Sequence, residues 1–220
     1  MDTSPDHDQQ SSAGLAPERR ADGAARHGAD AAPAVVGAGA NDPDDNLHAI
    51  AIVLASDHWA GAAHAKVLLL EYGDYECASC SAAEPLTEHL VKTFGAHLRF
   101  VYRHFPLGEH PHAERAAEAA EAAAAQDKFW LMHHLLFTHW EHLAPDDLKR
   151  YAQMAGLDMP RFNVAMAERT YRARVQEHRD SGEAIGLHGL PTFFVDGARV
   201  DVSFGPDHLE RAVRAALEPG

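Results

Sequence analysis

The chain has 220 residues, of which 46% are hydrophobic and 24% are charged, and 33 acidic residues against 19 lysines and arginines give a formal net charge of −14. This composition is typical of a globular protein with a substantial core, and the length predicts one folded domain. The negative charge argues against nucleic acid or an anionic membrane as the main partner. No stretch approaches the roughly 18 consecutive apolar residues of a membrane span.

Residues 1–46 are predicted to form a disordered acidic tail. They consist mainly of small and polar residues, and nine acidic residues against three arginines give them a net charge of −6. Such a segment buries too little apolar surface to offset the entropy lost on ordering. The weakly apolar stretch Ala31–Ala40 is interrupted by Pro33, so we predict a cytoplasmic location, with a cryptic export signal as the alternative.

Residues 47–220 are predicted to form the domain, which begins with strands around one helix. The expected elements are a strand at Leu47–Leu54, a strand at Lys66–Tyr72, a helix at Cys77–Thr93 and a strand at Leu98–His104. Pro85 should kink the helix, and Gly95 favours its C-terminal end. A strand, a helix and a second strand joined by short connections predict a right-handed βαβ unit with parallel strands.

Residues from about 107 to 187 are predicted to be a helical insertion, and the chain then returns to strands. The insertion is expected to contain an Ala-rich helix at Ala113–Ala125, an apolar helix at Phe129–Phe137, new helices starting at Pro145 and near Pro160, and a last helix at Val164–Ile185. Thr192–Val195 and Arg199–Val202 predict a β-hairpin around Asp196-Gly197, and a final helix should run from Pro206 to Leu217. The predicted fold is therefore α/β, with a βαβ half and a ββα half separated by helices.

The two cysteines of the chain, Cys77 and Cys80, lie where the second strand turns into the helix. Free backbone N–H groups and the helix dipole at this position stabilise a thiolate at Cys77. Cys80, one turn further, could then resolve a mixed disulfide. The alternatives are an incidental pair and half of a zinc site, for which His134 and His139 have a plausible mutual spacing.

A second signal is Pro191, which directly precedes the predicted strand Thr192–Val195. A proline is tolerated at the start or the edge of a strand, and the Leu190–Pro191 peptide bond could be cis or trans. The sequence itself does not choose between the two.

Several motifs appear in the same order as in a known family. They are Glu71-Tyr-Gly-Asp-Tyr-Glu-Cys77-x-x-Cys80, Arg103-His-Phe-Pro-Leu107, His110-Pro-His-Ala113, Gln126-Asp-Lys-Phe-Trp130, Gly189-x-Pro-Thr-Phe-Phe194 and Asp196-Gly197. From Leu47 to the C-terminus the chain resembles the bacterial DsbA-like thiol–disulfide oxidoreductases. These proteins have a thioredoxin fold with a helical insertion, and the likeness is closest to the branch also found fused to sodium/proton antiporters.

The resemblance implies a role for each matching residue. Cys77 corresponds to the exposed nucleophile and Cys80 to the buried resolving cysteine. Pro191 corresponds to a cis-proline facing them, and its loop, with Leu190, pairs with the substrate backbone. Glu71 corresponds to a buried acid that helps proton transfer at the resolving thiol, the alternative being a partly exposed strand carboxylate. No metal or organic cofactor is implied.

The dipeptide between the cysteines departs from the family pattern. Many relatives have Pro-His or Pro-Tyr there, whereas this chain has Ala78-Ser79. Without the histidine, and with Glu76 beside Cys77, we expect a higher thiol pKa and a less oxidising pair. The segment His110-Pro-His112 is interpreted as a turn and cap feature rather than as part of the chemistry.

The sequence thus favours an oxidoreductase acting on disulfide- or dithiol-containing proteins, or on small disulfides, with an unidentified redox partner that recycles the pair. The rival interpretation is a non-catalytic thioredoxin-fold module that binds a peptide or a partner. The direction of electron flow and the oligomeric state stay open.

Overall fold

The computed structural model describes residues 53–202, 205 and 207–218, which contain a five-stranded sheet and seven helices. The strands are β1 (His58–Gly61), β2 (Val67–Gly73), β3 (Leu98–His104), β4 (Thr192–Val195) and β5 (Ala198–Val200). The helices are α1 (Ala78–Phe94), α2 (Ala113–Ala124), α3 (Phe129–Thr138), α4 (Pro145–Met154), α5 (Met159–Glu168), α6 (Arg172–Ala184) and α7 (Asp207–Leu217).

The sheet has the order β1-β3-β2-β4-β5. β2 and β3 pair in parallel along their seven residues, whereas β1 pairs antiparallel with β3 and β4 antiparallel with β2. The predicted parallel βαβ unit is therefore confirmed, with α1 as its helix. The predicted hairpin is also confirmed, since Asp196 and Gly197 both have positive φ between β4 and β5.

The central strand β2 is buried on both faces and decides which side chains reach the cysteines. Successive side chains of a strand point to opposite faces. Val67 and Leu69 belong to the core cluster that contains Cys80, whereas Leu70 and Tyr72 pack into a second cluster on the other face. By the same alternation, Glu71 shares the face of Leu69.

The Ala-rich helix α2 packs among the other helices of the insertion, and its small side chains are buried. Glu121 of α2 lies at the centre of a buried polar contact. Its Oε1 atom is 2.8 Å from His58 Nε2 and 2.9 Å from His104 Nε2, and Arg174 Nη1 donates to Oε2 at 3.0 Å. One carboxylate thus joins β1, β3, α2 and α6.

The predicted helix at Val164–Ile185 is wrong, because the structure divides this region into α5 and α6. Arg169 separates them with a left-handed backbone (φ 55°), and its guanidinium binds Glu114 and Glu118 of α2. These ion pairs attach the break between α5 and α6 to helix α2.

Other sequence predictions differ at the edges of the fold. Residues 1–46, residues 47–52 of the predicted first strand and Pro206 lie outside the described residues; residues 53 and 54 are not in a strand. β1 was not predicted, and it follows that region. Gly95 ends α1 in a right-handed conformation, where a Cβ would lie 2.5 Å from the Val91 carbonyl oxygen. None of the helices in the described part of the chain is both long and apolar enough to cross a membrane.

Candidate active site

Cys77 lies at the junction between β2 and α1, as the N-cap residue of the helix. Its N–H donates to the carbonyl oxygen of Asp74 (3.2 Å), and its own carbonyl accepts from the Ser81 N–H (3.0 Å). The Cys77 side chain is partly exposed, whereas Cys80 is 0% exposed, and both thiols are free. Only Cys77 is therefore accessible to a large substrate.

The surroundings of Cys77 favour its thiolate. The hydrogen bond from the Cys80 side chain lowers its pKa most, burial opposes this, the N–H groups of Cys80 and Ser79 lower it further, and Asp74 raises it. The net result is a pKa lowered to about 6. Neither N–H group forms a fully aligned capping hydrogen bond, so these amides act as partial positive charges at the helix start.

The environment of Cys80 favours its neutral thiol. Burial raises the pKa of Cys80 well above its ordinary value, and the hydrogen bond with Cys77 and the negative charges of Glu71 and Cys77 raise it further. The two sulfurs thus differ in both exposure and acidity. At neutral pH the accessible sulfur is the nucleophilic one.

Glu71 is buried in β2, with 1% of its surface exposed. Burial raises its pKa well above the ordinary value, and the charges of Glu84 and Cys77 raise it further. Among the described residues, neither carboxyl oxygen has a hydrogen-bond partner. The alternative of a partly exposed carboxylate is therefore wrong. Gly73 is required beside it, because a Cβ there would lie 2.7 Å from the Tyr102 ring and 3.2 Å from Glu71 Oε1.

A buried chain of hydrogen bonds adjoins this side of the cysteine pair, and the sequence did not predict it. The Tyr75 hydroxyl lies 2.9 Å from His133 Nδ1, and His133 Nε2 lies 3.2 Å from Glu84 Oε2. Glu84 follows Cys80 by one helical turn, so both lie on the same side of α1. The spacing of Cys80 and Glu84 was the only signal in the sequence.

The Leu190–Pro191 peptide bond is cis. It immediately precedes β4, whose first residue, Thr192, pairs with Tyr72 near the end of β2 from which the chain continues to Cys77. Leu190 and Pro191 are both partly exposed. The register thus brings this loop to the end of the sheet at which the cysteine helix begins.

Two clusters of described residues have the composition of a metal site, and neither contains a cysteine. They are His104, Glu121 and His178, which are buried, and Glu84, Glu88 and His134. His134 Nδ1 lies 2.9 Å from Glu88 Oε1, and His139 Nδ1 lies 2.8 Å from the Leu135 carbonyl oxygen. The histidines considered for a zinc site therefore make other contacts.

Comparison with known proteins identifies the family. The sequence model of a family described as Thioredoxin matches residues 54–215. The chain is 44% identical over 162 residues to the Na(+)/H(+) antiporter NhaA 1 of Salinispora arenicola (strain CNS-205), a match that covers 73% of this chain and 25% of that protein. The chain thus spans about a quarter of the length of the curated relatives it matches.

Solved structures share the fold. BdbD from Bacillus subtilis, in its oxidised form, superposes with a TM-score of 0.69 at 20% identity, covering 74% of this chain and 94% of that one. A thioredoxin-like oxidoreductase from Silicibacter pomeroyi DSS-3 gives a TM-score of 0.68 at 26% identity, covering 80% and 98%. The predicted thioredoxin-like fold with a helical insertion, and the likeness to DsbA-like proteins and to the antiporter-fused branch, are confirmed.

Proposed function

The chain belongs to the thioredoxin family, and we propose that it is a thiol–disulfide oxidoreductase with Cys77 as the nucleophile and Cys80 as the resolving thiol. The observation that carries this proposal is the contrast between the two sulfurs. Cys77 is partly exposed with a pKa lowered to about 6, whereas Cys80 is fully buried and its pKa is raised. Such asymmetry suits a pair in which one thiol meets the substrate and the other acts afterwards.

In the reducing direction, the Cys77 thiolate attacks one sulfur of a substrate disulfide. The substrate S–S bond breaks, a mixed disulfide forms, and the leaving thiolate takes a proton from water. Cys80 then loses its proton and attacks the Cys77 sulfur, which releases the second substrate thiol. The substrate gains two electrons and the protein pair becomes a disulfide. The reverse sequence oxidises a substrate dithiol.

Glu71 is proposed to exchange the proton of Cys80. Its negative charge raises the pKa of Cys80, so the two groups interact within the same buried region. Because burial raises the pKa of Glu71 itself, its carboxylate is a stronger base than an exposed one. The loop at Leu190 and Pro191 is proposed to pair with the substrate backbone, since it lies partly exposed next to the cysteine end of the sheet.

The test is reduction of insulin disulfides with dithiothreitol as the electron source. Cys77→Ser should lose the activity, and Cys80→Ser should lose turnover but accumulate a mixed disulfide with the substrate. Ser79→Ala changes an exposed residue of the same turn and should keep the activity. Activity that survives in Cys77→Ser contradicts the proposal.

The second candidate function is a non-catalytic module that binds a peptide through the same fold. The partly exposed loop at Leu190 and Pro191 would suit either function. A wild-type protein that binds peptides equally well in its reduced form and as Cys77→Ser, and shows no exchange, would favour this candidate.

The natural partners are proposed to be disulfide- or dithiol-containing proteins and a separate redox protein that recycles the pair. The cytoplasmic location stays a prediction from the sequence. Protease treatment of spheroplasts, followed by detection of this chain, would test that location directly, because a cytoplasmic protein is protected from the protease.

A further inference from the structure

The loop between β3 and α2 packs against the turn that leads to Cys77, and Asp74 is the centre of this contact. The Asp74 side chain is fully buried, and its Oδ1 atom accepts the N–H of Glu76 at 2.7 Å. Its Oδ2 atom accepts the N–H of Leu107 at 2.8 Å and lies 2.8 Å from His110 Nδ1. The loop thus places the His110 imidazole beside Asp74, three positions before Cys77.

The same residue also holds the nucleophile. The Asp74 carbonyl oxygen accepts the Cys77 N–H at 3.2 Å, and the Asp74 carboxylate raises the pKa of Cys77. An unscreened carboxylate here would work against a thiolate. His110 binds that carboxylate directly, so its protonated form offsets the charge that opposes ionisation of Cys77.

We propose that His110 is a positioning residue of the active site, which, held by Asp74, stabilises the Cys77 thiolate from across the loop. The two residues between the cysteines, Ala78 and Ser79, are exposed and carry no charge, so neither can supply this positive charge. This inference rests on the proposed function, because it gives His110 a part in preparing Cys77 for attack.

The electrostatic coupling supports the geometry. Burial lowers the pKa of His110, but the hydrogen bond and charge of Asp74, followed by the charges of Cys77 and Glu76, raise it to a net value above the ordinary one. Coupling between two charges is reciprocal: if the thiolate favours protonated His110, protonated His110 favours the thiolate. The side chains of Cys80 and Asp74 act on the ionisation of Cys77, and the charge of Cys77 acts on His110 and on Glu71.

The neighbouring pair His112 and Glu76 provides a matched control. His112 Nδ1 lies 2.8 Å from Glu76 Oε1, the same separation as in the pair of His110 and Asp74. His112 also donates its backbone N–H to Glu76 Oε2 at 2.6 Å. The Glu76 carboxylate, unlike the buried Asp74, retains 18% exposure, and its partner histidine is 40% exposed. Water therefore screens this second pair more strongly.

The first experiment compares alkylation of Cys77 by iodoacetamide in the reduced wild type, His110→Asn and His112→Asn. Asparagine keeps a donor near the position of Nδ1 and removes the charge. We expect His110→Asn to raise the alkylation midpoint by roughly half a pH unit, a value reduced from that of a close ion pair because His110 is 25% exposed. The rate should fall roughly twofold at pH 6 and not at pH 9, where the thiolate forms in every variant.

The second experiment needs no substitution and so does not depend on folding of a variant. The imidazole titration of His110, followed by NMR in the wild type, should have its midpoint at higher pH in the reduced protein than in the disulfide form. Equal His110 midpoints in both redox states overturn the inference, as does an equal effect of the two asparagine variants on alkylation. Neither experiment uses a substrate, so their failure is distinct from a failure of disulfide exchange.

Discussion

Replacing Glu71 is predicted to make the protein more stable and less active. The side chain is 1% exposed, and its carboxyl oxygens have no hydrogen-bond partner in the part of the chain that the structure describes. Burial raises its pKa, and the charges of Glu84 and Cys77 raise it further. A carboxyl group in this position destabilises the fold whenever it ionises.

The sign of the effect follows from proton linkage. Below the unfolded-state pKa of about 4.3, Glu71 is protonated in both states and its ionisation does not affect folding. As the pH rises through the raised folded-state value, the unfolded chain is favoured because it ionises more readily. Glu71→Gln cannot ionise, so its advantage over the wild type should be absent near pH 4 and grow with pH. Glu71→Met also removes the unpaired polar atoms and should add about 1–3 kcal/mol at every pH.

Urea unfolding of the reduced wild type and both variants at pH 4, 6 and 8 measures these differences in the free energy of unfolding. The ionisation of Cys77 contributes to all three proteins and largely cancels. Release of the mixed disulfide by Cys80 should be about 100-fold slower in Glu71→Gln, because the proton acceptor is lost. A stability difference between the wild type and Glu71→Gln that does not change with pH, or an unchanged release rate, would refute the reasoning.

Three further predictions concern the cysteines and the insertion. Alkylation of the reduced protein should label Cys77 first, with a midpoint near the pKa of about 6 and a rate that falls as acid protonates the thiolate; preferential labelling of Cys80 contradicts this. The reduction potential of the pair, measured against glutathione, should lie between about −270 mV for thioredoxin and about −120 mV for DsbA, nearer the former. Glu121→Ala should lower the free energy of unfolding by about 3–5 kcal/mol because it leaves Arg174 and two histidines without their carboxylate, whereas the exposed Glu141→Ala should change it little.

The potential is expected in this range because the Cys77 pKa of about 6 lies between the values of about 7 for thioredoxin and about 3.5 for DsbA. A lower thiol pKa stabilises the reduced form and makes the disulfide more oxidising. From the sequence, we expected the negative charge that raises the pKa of Cys77 to come from Glu76. In the structure Asp74 has the larger effect on Cys77, and Glu76 is bound to His112.

The elements around the site could be predicted because their signals are local. A few neighbouring residues carry each signal: the apolar run of β2, the cysteine spacing at the start of α1 and the hairpin at Asp196. β3 and β4 were predicted with the bounds that the structure gives. Local patterns of this kind predict strands, helix starts and turns without knowledge of tertiary contacts.

The features that sequence patterns did not predict depend on distant contacts. β1 has four residues with mixed burial, so it shows no clear alternation, and it is defined by pairing with β3. The break at Arg169 depends on acidic residues of α2 about fifty positions earlier. Asp74 and His110 are 36 residues apart, and no periodicity connects them. The interpretation of His110 as a turn residue was correct for the backbone, which bonds to Leu107, and incomplete for the side chain.

The charges around the cysteines follow one arrangement in space. The sheet, its turn and α1 supply carboxylates, and the loop and helices inserted after β3 supply imidazoles to meet them. The three pairs are His110 with Asp74, His112 with Glu76 and His133 with Glu84. Of these three carboxylates, that of Asp74, the partner of His110, raises the pKa of Cys77. Among these carboxyl groups Glu71 alone lacks a hydrogen-bond partner within the described residues, and it is the group whose proposed role requires it to gain and lose a proton.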